Sequence, residues 1–279
     1  MSENKEVLLT FGGHLEILRR MLFRVIAIVV TLAVLVFCFK EETFELLFAP
    51  TKSDFCLYEW VEYVSSFLGS NFKFDDLSIK FISTELSAQF MMHVTSSIYL
   101  GLLLASPYML FELFAFVAPA LYENEKRYAV ITVVFVYLLF ALGVLLSYFV
   151  LFPVSFRFLA TYQVASSVEN TITLSSYIST FTTLTLMMGL VFQMPVISFF
   201  LAKIGLVTSS VLRHYRRHAV LAITVVSALI TPPDILTCIL VVGPLCLLYE
   251  CSILIIRMVE SGQGADAGEP EKDVATSIE

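Results

Sequence analysis

Six stretches of the chain are apolar enough to leave water, and short polar clusters separate them. Three runs free of Asp, Glu, Lys and Arg, namely Leu86 to Phe111, Tyr128 to Phe156 and Asn170 to Ala202, each exceed the ~20 residues a helix needs to cross a ~30 Å hydrocarbon core. Val25 to Phe39, His218 to Pro233 and Ile235 to Tyr249 are shorter, the last continuing past Glu250 to Ile256. Lipid offers an open backbone no hydrogen-bond partner, so each run is expected to be helical. The expected fold is all-α, with six spans near 21–39, 87–111, 128–152, 178–202, 218–231 and 235–256.

The final pair is unusual. As helices at ~1.5 Å per residue, the sixteen residues from His218 to Pro233 and the fifteen from Ile235 to Tyr249 reach only about 22–24 Å. Between them stands "TPPD", where Pro232 and Pro233 cannot continue a helix and Asp234 suits an N-cap for the next run. A very tight turn is expected there. Residues 40 to 86 form a longer connection, in which "DFCLYEWVEYVSSFL" carries the apolar spacing of a short amphipathic helix. The connection at 153 to 177 begins at Pro153 and is rich in Ser and Thr.

Composition agrees with a membrane protein: 58% apolar, 15% charged and a mean hydropathy of +0.86, against roughly 45–50% and 25% in soluble domains. The net charge of −7 says little about partners, since six acids and one Lys lie in the last twenty residues, and 258–279 is expected to be a disordered acidic tail. The first apolar run has no cleavage site and is expected to be retained. With six spans, twelve of the seventeen Lys and Arg residues fall on the side of the termini, so both termini are expected in the cytoplasm, with 1–20 as a cytoplasmic segment opening the first helix. Four of the five cysteines sit in or beside apolar runs, which argues against a disulfide framework or a metal site. No nucleophile with a base, phosphate loop or HExxH pattern is present, so no enzyme, cofactor or nucleic-acid partner is expected.

Charges near the membrane carry the remaining information. In "GGHLEILRRMLFR", Glu16 stands i, i+3 and i, i+4 from Arg19 and Arg20, with Leu15, Leu18 and Leu22 on an apolar stripe. In "FAFVAPALYENEKR", Pro119 ends any incoming helix, and Glu123, Glu125, Lys126 and Arg127 follow. Each segment admits a bland reading, snorkelling cations that set topology, and a sharper one, in which Glu125 with Phe116 nearby receives a guanidinium. His93, Glu112, Glu250 and Gln193 are the other polar groups in or beside spans, suited to helix packing or to a functional interior.

The order of these pieces resembles the TatC family, the multispanning core of the twin-arginine protein translocase. The resemblance covers residues 12 to 257: "HLEILRR", "FAP", "LLLASPYMLFELFAFVAPALYENEKR", "SYFVLFPVSFRFL", "FQMPV" and "TPPD". It implies a concave, cup-like bundle in the bacterial cytoplasmic membrane. It also implies binding of paired-arginine signal peptides of folded cargo at the cytoplasmic face, and assembly with TatA-like and TatB-like single-span partners and with further copies of itself, driven by the proton-motive force. Glu16, Arg19, Phe116, Glu125 and Arg127 then match the signal-peptide site. The family's Glu before "LR" is Ile17 here, and the carboxylate stands one position earlier, at Glu16. Gln193 matches a polar position of the concave face, and Thr231, Pro232, Pro233, Asp234 and Cys238 match the partner-docking corner. Pro50, Pro107, Pro119, Tyr148 and Pro153 take structural roles. Competing readings are a secondary transporter for a small solute, which would predict an inverted repeat, and a scaffold whose charges only set topology.

Overall fold

The computed structural model describes residues 11–67, 80–117, 126–165 and 170–266. They form helices joined by short connections, with one pairing of two-residue strands. The chain divides into two compact units. One comprises 1–49, 81–137 and 173–178, the other 50–80, 138–172 and 179–279.

In the first unit, α1 (Phe11–Cys38) packs antiparallel on α4 (Ala88–Val117). Three contacts trace the seam: Arg24 meets Glu112, Ala33 meets Gly101, and Phe37 stacks on His93 at 4.1 Å. The middle contact needs glycine, because a Cβ at Gly101 would lie 2.7 Å from the Cα of Ala33. Small residues let membrane helices approach closely where no hydrophobic force drives them together. Helix α4 runs through Pro107, whose missing N–H would deprive the Leu103 carbonyl of its donor; the Ser106 hydroxyl donates to that carbonyl instead, at 2.7 Å. At the far end of α1, α2 (Lys40–Phe48) is tied down by Tyr177, whose hydroxyl donates 2.7 Å to the Leu47 carbonyl. Buried His93 leaves its Nε2 without a partner among the described residues.

A single-turn 3-10 segment at Ala49–Thr51 leads into the second unit and α3 (Cys56–Phe67), the expected amphipathic helix. Buried Pro50 and Pro153 each offer a carbonyl to the Tyr58 hydroxyl, at 3.1 and 3.2 Å, and the Arg157 guanidinium lies 4.8 Å from the Tyr58 ring centre. Helix α5 (Lys126–Leu146), which begins in the first unit, passes through a π-helical turn at Ser147–Leu151 into α6 (Phe152–Thr161). Half-buried Tyr148 in that turn meets Phe55 and Phe181 edge-on. Helices α7 (Leu174–Val191) and α8 (Met194–Lys203) follow, then α9 (Ser209–His214), α10 (Arg216–Ile230) and α11 (Ile235–Asp266). Phe152, Phe181, Leu184, Met188, Leu245 and Ile253 form its fully buried core.

Five helical runs among the described residues are long and apolar enough to cross a membrane: Leu15–Cys38, Ala88–Phe116, Thr132–Thr161, Leu174–Lys203 and Ile235–Ser261. The expected sixth corresponds to α10, whose 15 residues span about 22 Å. Other boundaries depart from expectation for identifiable reasons. The second span continues beyond 111 to Val117, because Glu112 finds partners within the protein. Pro153 does not end the third, since it stands in the first turn of α6, directly after the π-helical turn, where a missing N–H is tolerated. The fourth starts at Leu174 rather than 178 and breaks at Phe192–Gln193, ahead of Pro195. The last span is not short. Helix α11 has 32 residues, running through Glu250, which Arg216 pairs at 2.6 Å. Its last turns, to Asp266, also replace the start of the tail expected from 258, and 267–279 lie outside the described residues.

Candidate functional site

The charged end of the α1/α4 pair gathers three of the five residues matched to a signal-peptide site. Arg19 Nη2 and Arg20 Nε reach the same oxygen of Glu16, Oε1, at 3.3 and 3.0 Å, as their helical spacing predicts. One turn beyond Arg20, Arg24 leaves α1 and meets Glu112 of α4, with Nη1 at 3.0 Å from Oε1. The Tyr108 hydroxyl donates to that oxygen at 2.5 Å. The Glu112 side chain is only 10% exposed while that of Arg24 is 58% exposed, so a buried carboxylate is held by a guanidinium arriving from the surface. Removing one partner of such a pair costs about 3–5 kcal/mol where burial is complete, and less here, where Arg24 is open to solvent.

Of the residues matched to a signal-peptide site, Glu16, Arg19 and Phe116 fall at this end. Phe116 is half-buried in the last turn of α4, four residues after Glu112 and therefore on the same face. Arg127 lies in the first turn of α5. Glu125 and Pro119 lie outside the described residues. Leu15, Leu18 and Leu22 are exposed rather than packed within the protein, which suits a lipid-facing stripe. Tyr108, Glu112 and Arg24 did not emerge from the sequence as one cluster. The available signal was the repeat Tyr108, Glu112, Phe116 at i, i+4, which puts a phenol, a carboxylate and an aromatic ring in one row.

The second unit carries the other candidate, the corner between α10 and α11. Buried Thr231 donates its hydroxyl to the Ser227 carbonyl at 3.0 Å. Asp234 caps α11 as expected, its Oδ1 accepting the Thr237 N–H at 2.6 Å, while Oδ2 is buried without a partner among the described residues. The Ser227 hydroxyl crosses the corner to the Cys238 carbonyl at 3.0 Å. Pro233 and Asp234 line one wall of a groove of about 860 Å³, opposite Phe158, Leu159 and Tyr162. Gln193 stands half-buried at the α7/α8 break. No group of three or more metal-ligating side chains occurs among the described residues.

Residues 13–244 match the family model described as TatC, Sec-independent protein translocase protein. The Sec-independent protein translocase protein TatC of Campylobacter jejuni is 35% identical over 246 residues, covering 88% of this chain and 93% of its own length. That of a Blattabacterium from Periplaneta americana is 32% identical, covering 91% and 97%. Among solved structures, the crystal structure of the twin-arginine translocase receptor TatC superposes with a TM-score of 0.70 at 27% identity, over 88% of this chain and 99% of that one. These are translocase receptor subunits and not enzymes. The chain belongs to the TatC family and is a membrane component of a Sec-independent protein translocase.

Proposed function

We propose that this chain is the signal-peptide receptor of a twin-arginine translocase, binding the paired arginines of folded cargo at the charged end of the α1/α4 pair. The observation that carries this reading is the convergence there of Glu16, Arg19 and Phe116, at the end of α4 from which the chain continues to Glu125. A planar guanidinium suits a carboxylate beside an aromatic ring, through bidentate hydrogen bonds and stacking. In this reading the chain crosses the bacterial cytoplasmic membrane six times, with α10 as the short fifth span and both termini in the cytoplasm. The α10/α11 corner receives a TatB-like or TatA-like single-span helix, whose apolar surface suits the groove beside Pro233. Copies of the chain associate with one another in the complex, and the proton-motive force drives transport.

The test is binding of a fluorescent signal peptide to the purified protein in lipid nanodiscs. An Arg-Arg peptide binds, and its Lys-Lys counterpart binds at least about tenfold more weakly, since lysine offers a point charge in place of a fork. Glu125→Ala abolishes binding while the protein stays folded. Equal binding of both peptides, or normal export by Glu125→Ala, would refute the reading.

A further inference from the structure

Three features single out Glu112. Its carboxylate is buried and oriented, because the Tyr108 hydroxyl fixes Oε1 from one turn away. Arg24 meets that same oxygen, and two contacts on one oxygen leave acceptor capacity on a carboxylate that can take about four hydrogen bonds. The third feature is position: Glu112 shares a face of α4 with Phe116, one turn away, within the site proposed above.

The other described carboxylate at this end is less free to act. Glu16 already serves Arg19 and Arg20 through one oxygen, and with Arg24 the opening turns of α1 carry three guanidinium groups against one carboxylate. A dicationic ligand gains little from long-range attraction to such a surface. It gains from a buried acceptor whose geometry is set before it arrives and where screening by water is weak.

We infer that Glu112 is a specificity-determining guanidinium acceptor of this receptor and that Arg24 is its resident occupant, exchanged for an arginine of the signal peptide. The inference rests on the receptor reading. Arg24 is suited to leave: its side chain is 58% exposed, and its long stem lets the charge swing to lipid headgroups while the incoming guanidinium takes its place on Glu112. The buried carboxylate is then never left without a cation.

The exchange predicts effects of opposite sign from the two partners of one ion pair. In the nanodisc assay with the Arg-Arg peptide, Glu112→Gln weakens binding by about tenfold, the loss of one charge-assisted hydrogen bond. Arg24→Gln, which removes the competitor, tightens it severalfold. Glu112→Asp keeps the charge but withdraws it by one methylene, and weakens binding with an unchanged melting temperature, so a folding defect in Glu112→Gln cannot mask the result. If the pair only ties α1 to α4, both Glu112→Gln and Arg24→Gln weaken binding together, and that outcome overturns the inference. Wild-type affinity in Glu112→Gln overturns it as well. In either case a retained preference for Arg-Arg over Lys-Lys, and loss of binding in Glu125→Ala, leave the receptor reading standing. Absence of that preference in the wild-type chain removes both.

Discussion

The charged end of the first unit and the α10/α11 corner of the second solve opposite problems. In the first unit, two long helices meet through one close contact at Gly101, and at their charged end a buried carboxylate is held by an exposed guanidinium. At the corner, a helix of 15 residues turns into one of 32 within the four residues Thr231 to Asp234, held by two proline rings, one N-cap and hydroxyl bonds to carbonyls. The first arrangement keeps charge available at a rigid seam, while the second keeps backbone groups satisfied and leaves an apolar groove beside them. On the proposed function, a cationic peptide meets the first and an apolar helix the second.

Perturbations should separate the two. The largest effect is expected from Gly101→Leu. Even a Cβ would sit 2.7 Å from Ala33 backbone atoms, so a leucine forces α1 off α4, at a cost of about 3 kcal/mol or more. Signal-peptide binding is lost while the second unit keeps its partner, as read by peptide titration beside co-purification. Asp234→Lys should do the reverse, losing the cap and placing a cation on the groove wall. A TatB-like partner then fails to co-purify although peptide affinity is unchanged. Retained co-purification would count against the groove as a docking site.

Asp234→Ala isolates the cap from the charge and should cost about 1 kcal/mol, measured as a small fall in melting temperature. The smallest effect belongs to Tyr58→Phe, which removes a donor shared between the carbonyls of Pro50 and Pro153, about 1 kcal/mol. Burial pushes the Tyr58 phenol above its ordinary value, against the opposing pull of Arg157. Because the folded value is raised, this contribution is present in full below about pH 10 and is lost as pH climbs through the folded value. Tyr58→Phe should therefore lose less stability than the wild type between pH 9 and about pH 11, in a denaturation series with pH as the variable.

Apolar run length made the helices legible, and turn chemistry made the corner legible: Asp234 caps α11 as its place after two prolines predicts. Boundaries were misread where a local rule was overridden by a contact that sequence does not display. Pro153 looked like a start of loop until the π-helical turn carried the helix past it, and Glu112 looked like the edge of a span until Arg24 and Tyr108 enclosed it. The Glu16 arginine pairs were readable because i, i+3 and i, i+4 spacing is local. The Arg24–Glu112 pair was not, because it joins positions 88 residues apart whose meeting depends on the register of α1 against α4, which Gly101 and Ala33 set.

The most direct test of the central claim is photo-crosslinking in native membranes from probes at positions 16, 116 and 125 to a radiolabelled signal peptide bearing Arg-Arg or Lys-Lys. Crosslinks from all three positions with the Arg-Arg peptide alone are the predicted result. Crosslinks that do not distinguish the two peptides, or none at any of the three positions in protein shown to be folded, would contradict it.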